Sequence, residues 1–158
     1  MTGYNLGKKF EEKVKNDWQK SFPDGDILRL YDTTSGYSAI TFPSDYICYV
    51  YPNQFYIECK TVQGNTFNIN KLTQYEKLLL HSCKKGIRSG VIIWFYDHQK
   101  IVYVPIKQIE KMKNDGKKSV NIKMLEEKMY KIYEIPGKIK RTFIDSDYTI
   151  LMSLEEGD

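Results

Sequence analysis

Histidine is nearly missing from this chain: His81 and His98 are the only 2 among 158 residues. Their scarcity removes paired-histidine zinc sites on a helix and most histidine-based acid–base schemes. Cysteine is sparse and scattered. Cys48, Cys59 and Cys83 form no CxxC pair and have no histidine at ligand spacing, so they read as small buried hydrophobes in a reducing compartment. No apolar run approaches the roughly 20 residues that cross a bilayer. The opening residues are polar and pass directly into a charged helical pattern, which does not read as a secretory leader. There is no low-complexity tract and no internal repeat. A cytoplasmic protein is expected, with no membrane partner and no small-molecule cofactor. Whatever chemistry it performs must come from carboxylates and lysines.

What is present is an ordinary globular composition, 41% hydrophobic and 28% charged, in a chain of one-domain length. Residues 1–154 read as one domain and 155–158 as a frayed acidic tail. The formal charge of +4 permits a polyanionic partner without demonstrating one.

Leu6, Phe10, Val14 and Trp18 recur every four residues, one stripe of an amphipathic helix over residues 6–20. Turn residues at 22–26 stop it. Residues 27–31 read as a short strand, and the polar stretch 32–38 as a loop. Asp45 opens a strand running to Val50, a turn at 52–54 follows, and residues 55–61 return as a second strand. Leu72, Tyr75, Leu79 and Cys83 predict a helix over 70–84 with Asn70 as its N-cap. Residues 91–96 are almost continuously apolar, as in a strand buried on both faces. Residues 101–104 pair back on it, a basic helix follows over 106–114, and late strands or irregular edges are expected at 130–135 and 142–152. This order predicts an α/β (α+β) fold, a central mixed sheet flanked by helices.

Chemistry gathers on the second strand of the hairpin. Phe55, Ile57 and Cys59 point one way, while Tyr56, Glu58 and Lys60 point the other. Glu58 and Lys60 are therefore same-face neighbours, roughly 6.5–7 Å apart, and Asp45 is at a hairpin-compatible position opposite them. Two carboxylates, with the Cys59 carbonyl as an extra oxygen, suit a hard divalent cation such as Mg²⁺. Lys60 could orient or help deprotonate a water, or pair with a phosphate. An acid-x-Lys triplet also arises by chance, and cross-strand salt bridges use the same residues. In the first helix, Glu11 projects about 80° from the centre of the apolar stripe and Glu12 about 180°. Glu11 is the better third acid, although its spacing fits a solvated boundary glutamate equally.

Gly7-Lys8-Lys9-Phe10-Glu11, Pro43-Ser44-Asp45-Tyr46, Glu58-Cys59-Lys60 and Gln74 occur in this order. Together they resemble the RecU family of Holliday junction resolvases, within the PD-(D/E)xK nucleases, and its phage-encoded members most of all. The resemblance implies a restriction-endonuclease-like fold, a homodimer, dependence on Mg²⁺ with Mn²⁺ substituting, and paired nicks in branched DNA. It further implies Asp45, Glu58 and Glu11 as metal ligands, Lys60 as the catalytic lysine and Gln74 as a supporting residue, although Gln74 projects about 120° from the stripe's centre. A phage origin would place the protein in a bacterial host's cytoplasm. Cellular members carry a longer stalk ahead of the aspartate to engage the junction centre; here only residues 31–43 are available.

Thr33, Thr34, Ser35 and Tyr37 in that stretch, and Lys84, Lys85 and Arg88 further on, are the candidate DNA contacts. Any single basic cluster fits a solvated surface; as a set around an acidic site they fit a DNA-binding rim. Two rival functions remain at this level. One is a restriction-type nuclease of duplex DNA, the other a catalytically silent junction-binding protein on the same fold.

Overall fold

Phe10, Val14 and Trp18 are each 1% exposed, so the four-residue stripe is the buried face of helix α1 (Gly3–Ser21). The computed structural model describes residues 3–31, 33–35, 38–40, 42–155 and 157–158, with backbone alone at 3, 4, 33–35 and 38–40. Trp18 anchors the helix, its ring 5.0 Å from that of Phe22, 5.4 Å from Phe55 and 5.6 Å from Tyr148.

Strand β1 (Asp26–Arg29) follows the turn. Within the stretch 32–38, expected as a loop, residues 33–35 and 38 instead belong to paired strands β2 (Thr33–Ser35) and β3 (Ser38–Ile40), with Thr33 opposite Ile40. β-branched Thr33, Thr34 and Ile40 suit an extended backbone, which the polar composition had masked. Strands β4 (Tyr46–Val50) and β5 (Asn53–Val62) form the expected antiparallel hairpin, Tyr46 opposite Ile57 and Ile47 opposite Tyr56.

After β6 (Thr66–Asn68) the chain departs from the expected helix over 70–84. A 3₁₀ turn, Ile69–Lys71, is capped by Asn68, whose side chain accepts the Asn70 N–H at 2.9 Å. Helix α2 begins only at Tyr75 and runs to Ser82. The apolar spacing had merged two elements, because pairing of β6 with a distant strand holds residues 66–68 extended. Leu72 and Leu78 are consequently buried while Cys83 is exposed, so Cys83 is not the core thiol its sequence suggested.

Strand β7 (Ile87–Phe95) runs parallel to β5 from Gln54 opposite Ile87 to Val62 opposite Phe95. Strand β8 (Lys100–Pro105) returns antiparallel, and α3 (Ile106–Asn114) occupies the expected range. Then come β9 (Ser119–Asn121), the partner of β6, α4 (Met124–Glu127), β10 (Tyr133–Glu134), and a hairpin of β11 (Gly137–Ile139) and β12 (Ile144–Ser146). A second 3₁₀ segment, Tyr148–Ser153, follows. The central sheet has six strands in the order β1-β4-β5-β7-β8-β10, mixed through the single parallel pairing of β5 with β7. It is the mixed α/β sheet flanked by helices that the element order predicted.

Each sheet face carries its own core. Phe55, Ile57 and Cys59 join α1 and the 3₁₀ segment on one side. Tyr56, Val62, Val91 and Ile93 join α2 and α3 on the other. The β5 face carrying Glu58 is therefore covered rather than open, and Glu58 is only 2% exposed.

Candidate active site

A length mismatch in the hairpin makes the site. β4 has five residues and β5 ten, so beyond Ile57 no β4 residue pairs with β5. A buried backbone N–H left there needs an acceptor. Asp45, just ahead of β4, supplies it: its Oδ2 accepts the Cys59 N–H at 2.8 Å. The aspartate is thus fixed beside the strand that carries Glu58 and Lys60. Lys60 Nζ lies 3.1 Å from Glu58 Oε1, and Glu58 Oε2 is buried with no hydrogen-bond partner.

Helix α1 delivers the third acid. Tyr46 closes the register at Ile57, and its hydroxyl donates to the Glu11 carbonyl at 2.9 Å, pinning that helical turn over the end of β4. Glu11 is half-buried and lies 2.7 Å, through Oε2, from Arg29 Nη2. Arg29 Nη1 is 3.6 Å from Asp45 Oδ1, and the guanidinium carbon is 5.5 Å and 5.2 Å from the ring centroids of Tyr31 and Tyr46. Arg29 belongs to the site and was missed in the sequence. Its signal was a lone charge in a short strand, informative only once β1 is known to pair with β4 and to place Arg29 opposite Tyr46.

The charges are unbalanced. Burial, then the neighbouring Asp45 carboxylate, pushes Glu58 up to about 8 despite the ammonium of Lys60. Glu11 is raised by the same two causes in the same order, with Arg29 opposing them. Two carboxylates held neutral-leaning by burial and by the Asp45 charge, one of them with an unpartnered buried oxygen, make a site that would take up positive charge. Among the described residues no three His, Cys, Asp or Glu side chains form a preassembled metal cage. The chemistry of the donors nonetheless fits a hard divalent cation: Glu58 Oε2 is buried without a partner, and all three acids are oxygen donors. A groove lined by Lys8, Glu11, Lys15, Arg29, Tyr31 and Tyr46 opens beside them.

Gln74 occupies the N-cap of α2 without capping it, and its side-chain oxygen takes the Thr73 hydroxyl at 3.0 Å. Thr33, Thr34 and Ser35 are described as backbone in β2, and Tyr37 lies outside the described residues. Lys84, Lys85 and Arg88 do come together, at the start of β7 and so at the opposite end of β5 from Lys60.

An aspartate ahead of a hairpin, an acid-x-Lys strand and a helix glutamate gather where β5 outruns β4, the set of residues on which the sequence resembled the PD-(D/E)xK nucleases. The chain matches the family model RecU, described as Recombination protein U, over residues 9–143. It belongs to that family, and the resemblance to junction-resolving nucleases holds at family level. Among curated proteins none is similar enough in sequence to match. A solved structure with likeness to the chain is Hjc of Archaeoglobus fulgidus, a Holliday junction resolvase from an archaeal hyperthermophile. It is 15% identical with a TM-score of 0.47, over 65% of this chain and 78% of that one.

Proposed function

We propose that the protein is a divalent-metal-dependent endodeoxyribonuclease that resolves four-way and other branched DNA by paired phosphodiester hydrolysis. The observation that carries this reading is the buried, unpartnered Glu58 Oε2 beside Asp45, Glu11 and Lys60. Asp45, Glu58 and Glu11, with the Cys59 carbonyl, would hold Mg²⁺, for which Mn²⁺ can substitute. Bound there, the ion would polarise the scissile phosphate and make water a better nucleophile. Lys60, paired with Glu58, would orient that water and donate to the phosphoryl oxygen as charge builds on it. Asp45 keeps its orientation through Cys59, and Arg29 holds Glu11 toward Asp45. Water oxygen bonds to phosphorus, the bond to the leaving sugar oxygen breaks, and a proton passes to that oxygen.

Two nicks need two sites, and a homodimer supplies them. Support comes from the β1 edge of the sheet. Leu28 and Tyr49 are 58% and 46% exposed. Both lie on the face of Ile47, opposite the α1 core, and stay exposed among the described residues. Leu28→Asp should convert a dimer to monomers in analytical ultracentrifugation. The protein would act in the cytoplasm, that of a bacterial host if it is phage-encoded; among the described residues no helix is long and apolar enough to cross a membrane.

Cleavage of a synthetic four-way junction tests the function. Symmetrical paired nicks are expected with Mg²⁺, none with EDTA, and none in Asp45→Ala or Glu58→Ala. Efficient cutting of linear duplex with the junction spared would make it a restriction-type nuclease instead. Tight junction binding without cutting under any divalent metal would make it a binding protein.

A further inference from the structure

At the far end of β5 from the acids, Lys84, Lys85, Arg88 and Lys107 line a cavity of about 290 Å³ whose remaining wall includes Asp158. Lys84 and Lys85 follow the end of α2, Lys107 lies in the first turn of α3, and Arg88 lies on β7. Four cations so placed repel one another, and the segment seated beside them is an acidic stretch of the same chain, held to Arg88 through its backbone carbonyls. Arg88 Nη1 donates to the Glu155 carbonyl at 3.0 Å and to the Asp158 carbonyl at 3.1 Å. The Asp158 carboxylate accepts from the Tyr133 hydroxyl, and the Glu155 carboxylate pairs with Lys131. Asp158 is 8% exposed, so this stretch, expected as a frayed tail, is seated on the fold. Arg88 Nε remains buried without a partner beneath it.

The nuclease reading leaves this pocket unused. Six strand steps separate Gln54, opposite Ile87 at the pocket, from Lys60, a distance of roughly 20 Å. A DNA strand advances about 3.4 Å per nucleotide, so a backbone with one phosphate at the acids can present another about six nucleotides away at the pocket. Phosphate oxygens and the oxygens of this acidic stretch suit the same donors.

We propose that the pocket of Lys84, Lys85, Arg88 and Lys107 is a second binding site for a backbone phosphate of the DNA, and that the stretch carrying Glu155 and Asp158 is its competing occupant. This rests on the proposed function in taking DNA as the substrate. DNA entering the pocket displaces the acidic stretch, so affinity for DNA is set by a competition inside the chain.

Fluorescence anisotropy of a labelled four-way junction, titrated with the full chain in EDTA so that nothing is cut, tests this. In Lys84→Ala/Lys107→Ala, the slope of log affinity against log salt should fall by about 0.9, the value of one phosphate contact. In Glu155→Gln/Asp158→Asn, which removes the Glu155–Lys131 ion pair and weakens the Asp158–Tyr133 contact that hold the stretch in place, affinity should rise up to about fivefold, as expected for losing one surface ion pair. Combining all four substitutions should abolish that gain, because the competition needs the lysines. An equal gain with the lysines removed would mean unspecific charge repulsion and overturn the proposal, as would an unchanged salt slope. Millimolar inorganic phosphate at constant ionic strength should leave affinity unaltered; displacement of the junction would make this a small-anion site and overturn the DNA assignment. Thermal midpoints within a few degrees of the parent's exclude unfolding as the cause. Failure of the chain to bind DNA at all overturns both readings, whereas binding insensitive to these residues overturns this one alone.

Discussion

Asp45 and Cys59 are joined by a 2.8 Å hydrogen bond from the Cys59 amide to Asp45 Oδ2, at the point where β5 outruns β4. One carboxylate thereby does two things: it ends a sheet edge that would otherwise hold a bare buried amide, and it brings negative charge against Glu58. Asparagine keeps the acceptor and loses the charge, so Asp45→Asn separates these roles. Cleavage should fall by about 10²-fold or more, as expected when a transition-state electrostatic contact is lost. The unfolding midpoint should stay close to the parent's. Asp45→Ala should lose activity and a further ~1–2 kcal/mol of stability from the orphaned amide. Equal stability of the two variants in urea titration would contradict a structural role for the bond.

Arg29 is the guanidinium that bridges two of the acids, 2.7 Å from Glu11 and 3.6 Å from Asp45. Arg29→Ala should lower the metal-free thermal midpoint, because two partly buried acids lose their cation. Added Ca²⁺ or Mg²⁺ should restore more of that loss than it adds to the parent protein. Differential scanning fluorimetry with and without the ion reads both quantities; an equal metal-induced shift in the two proteins would show that Arg29 does not offset the charge of these acids.

Glu58 makes stability depend on pH in a defined direction. Burial first, then Asp45, raises its carboxyl from 4.5 to about 8. Between those values the folded chain keeps a proton that the unfolded chain has lost, so stability is fullest below about 4.5 and falls as pH rises through the window. The loss should be on the order of a few kcal/mol in EDTA, and Glu58→Gln should flatten the profile. Stabilisation by Mg²⁺ should grow over the same interval, as the competing proton leaves. A profile equally steep in Glu58→Gln would assign the dependence to another group.

Asp17 secures the late hairpin to α1. It is 2% exposed, accepts from Lys13 Nζ at 2.6 Å with one oxygen and from the Ser146 amide at 2.9 Å with the other. Asp17→Ala strands the Ser146 amide while Lys13 keeps Asp145, and should cost about 1–3 kcal/mol, measured by urea denaturation, with junction cleavage at low temperature retained.

The thiols give an inexpensive check on the packing. Cys48 and Cys59 are buried in the α1-side core, and Cys83 is exposed after α2. A maleimide under native conditions should add one label, at Cys83, and three after unfolding. Rapid labelling of Cys59 would mean that β5 is not packed against α1 as described.

Much of this molecule was legible from local rules. The four-residue stripe of α1, the β4–β5 hairpin and the bounds of α3 follow from periodicity and turn chemistry, which act over a few residues. The alternation that puts Glu58 and Lys60 on one face and Cys59 on the other follows from strand geometry alone. The acid-x-Lys strand, its aspartate and the family resemblance were likewise present in the linear order of residues. Tertiary structure decided the rest, because the deciding forces act between distant segments. Pairing of β6 with β9 cut the helix expected over 70–84 into a 3₁₀ turn and a shorter α2. Pairing of β1 with β4 brought Arg29 among the acids, and docking of residues 155 and 158 on Arg88 turned an apparent fray into a seated acidic stretch. Even the charge state of Glu58 belongs to the fold: the sequence supplies a glutamate two residues from a lysine, and only burial beside Asp45 makes that glutamate reluctant to ionise.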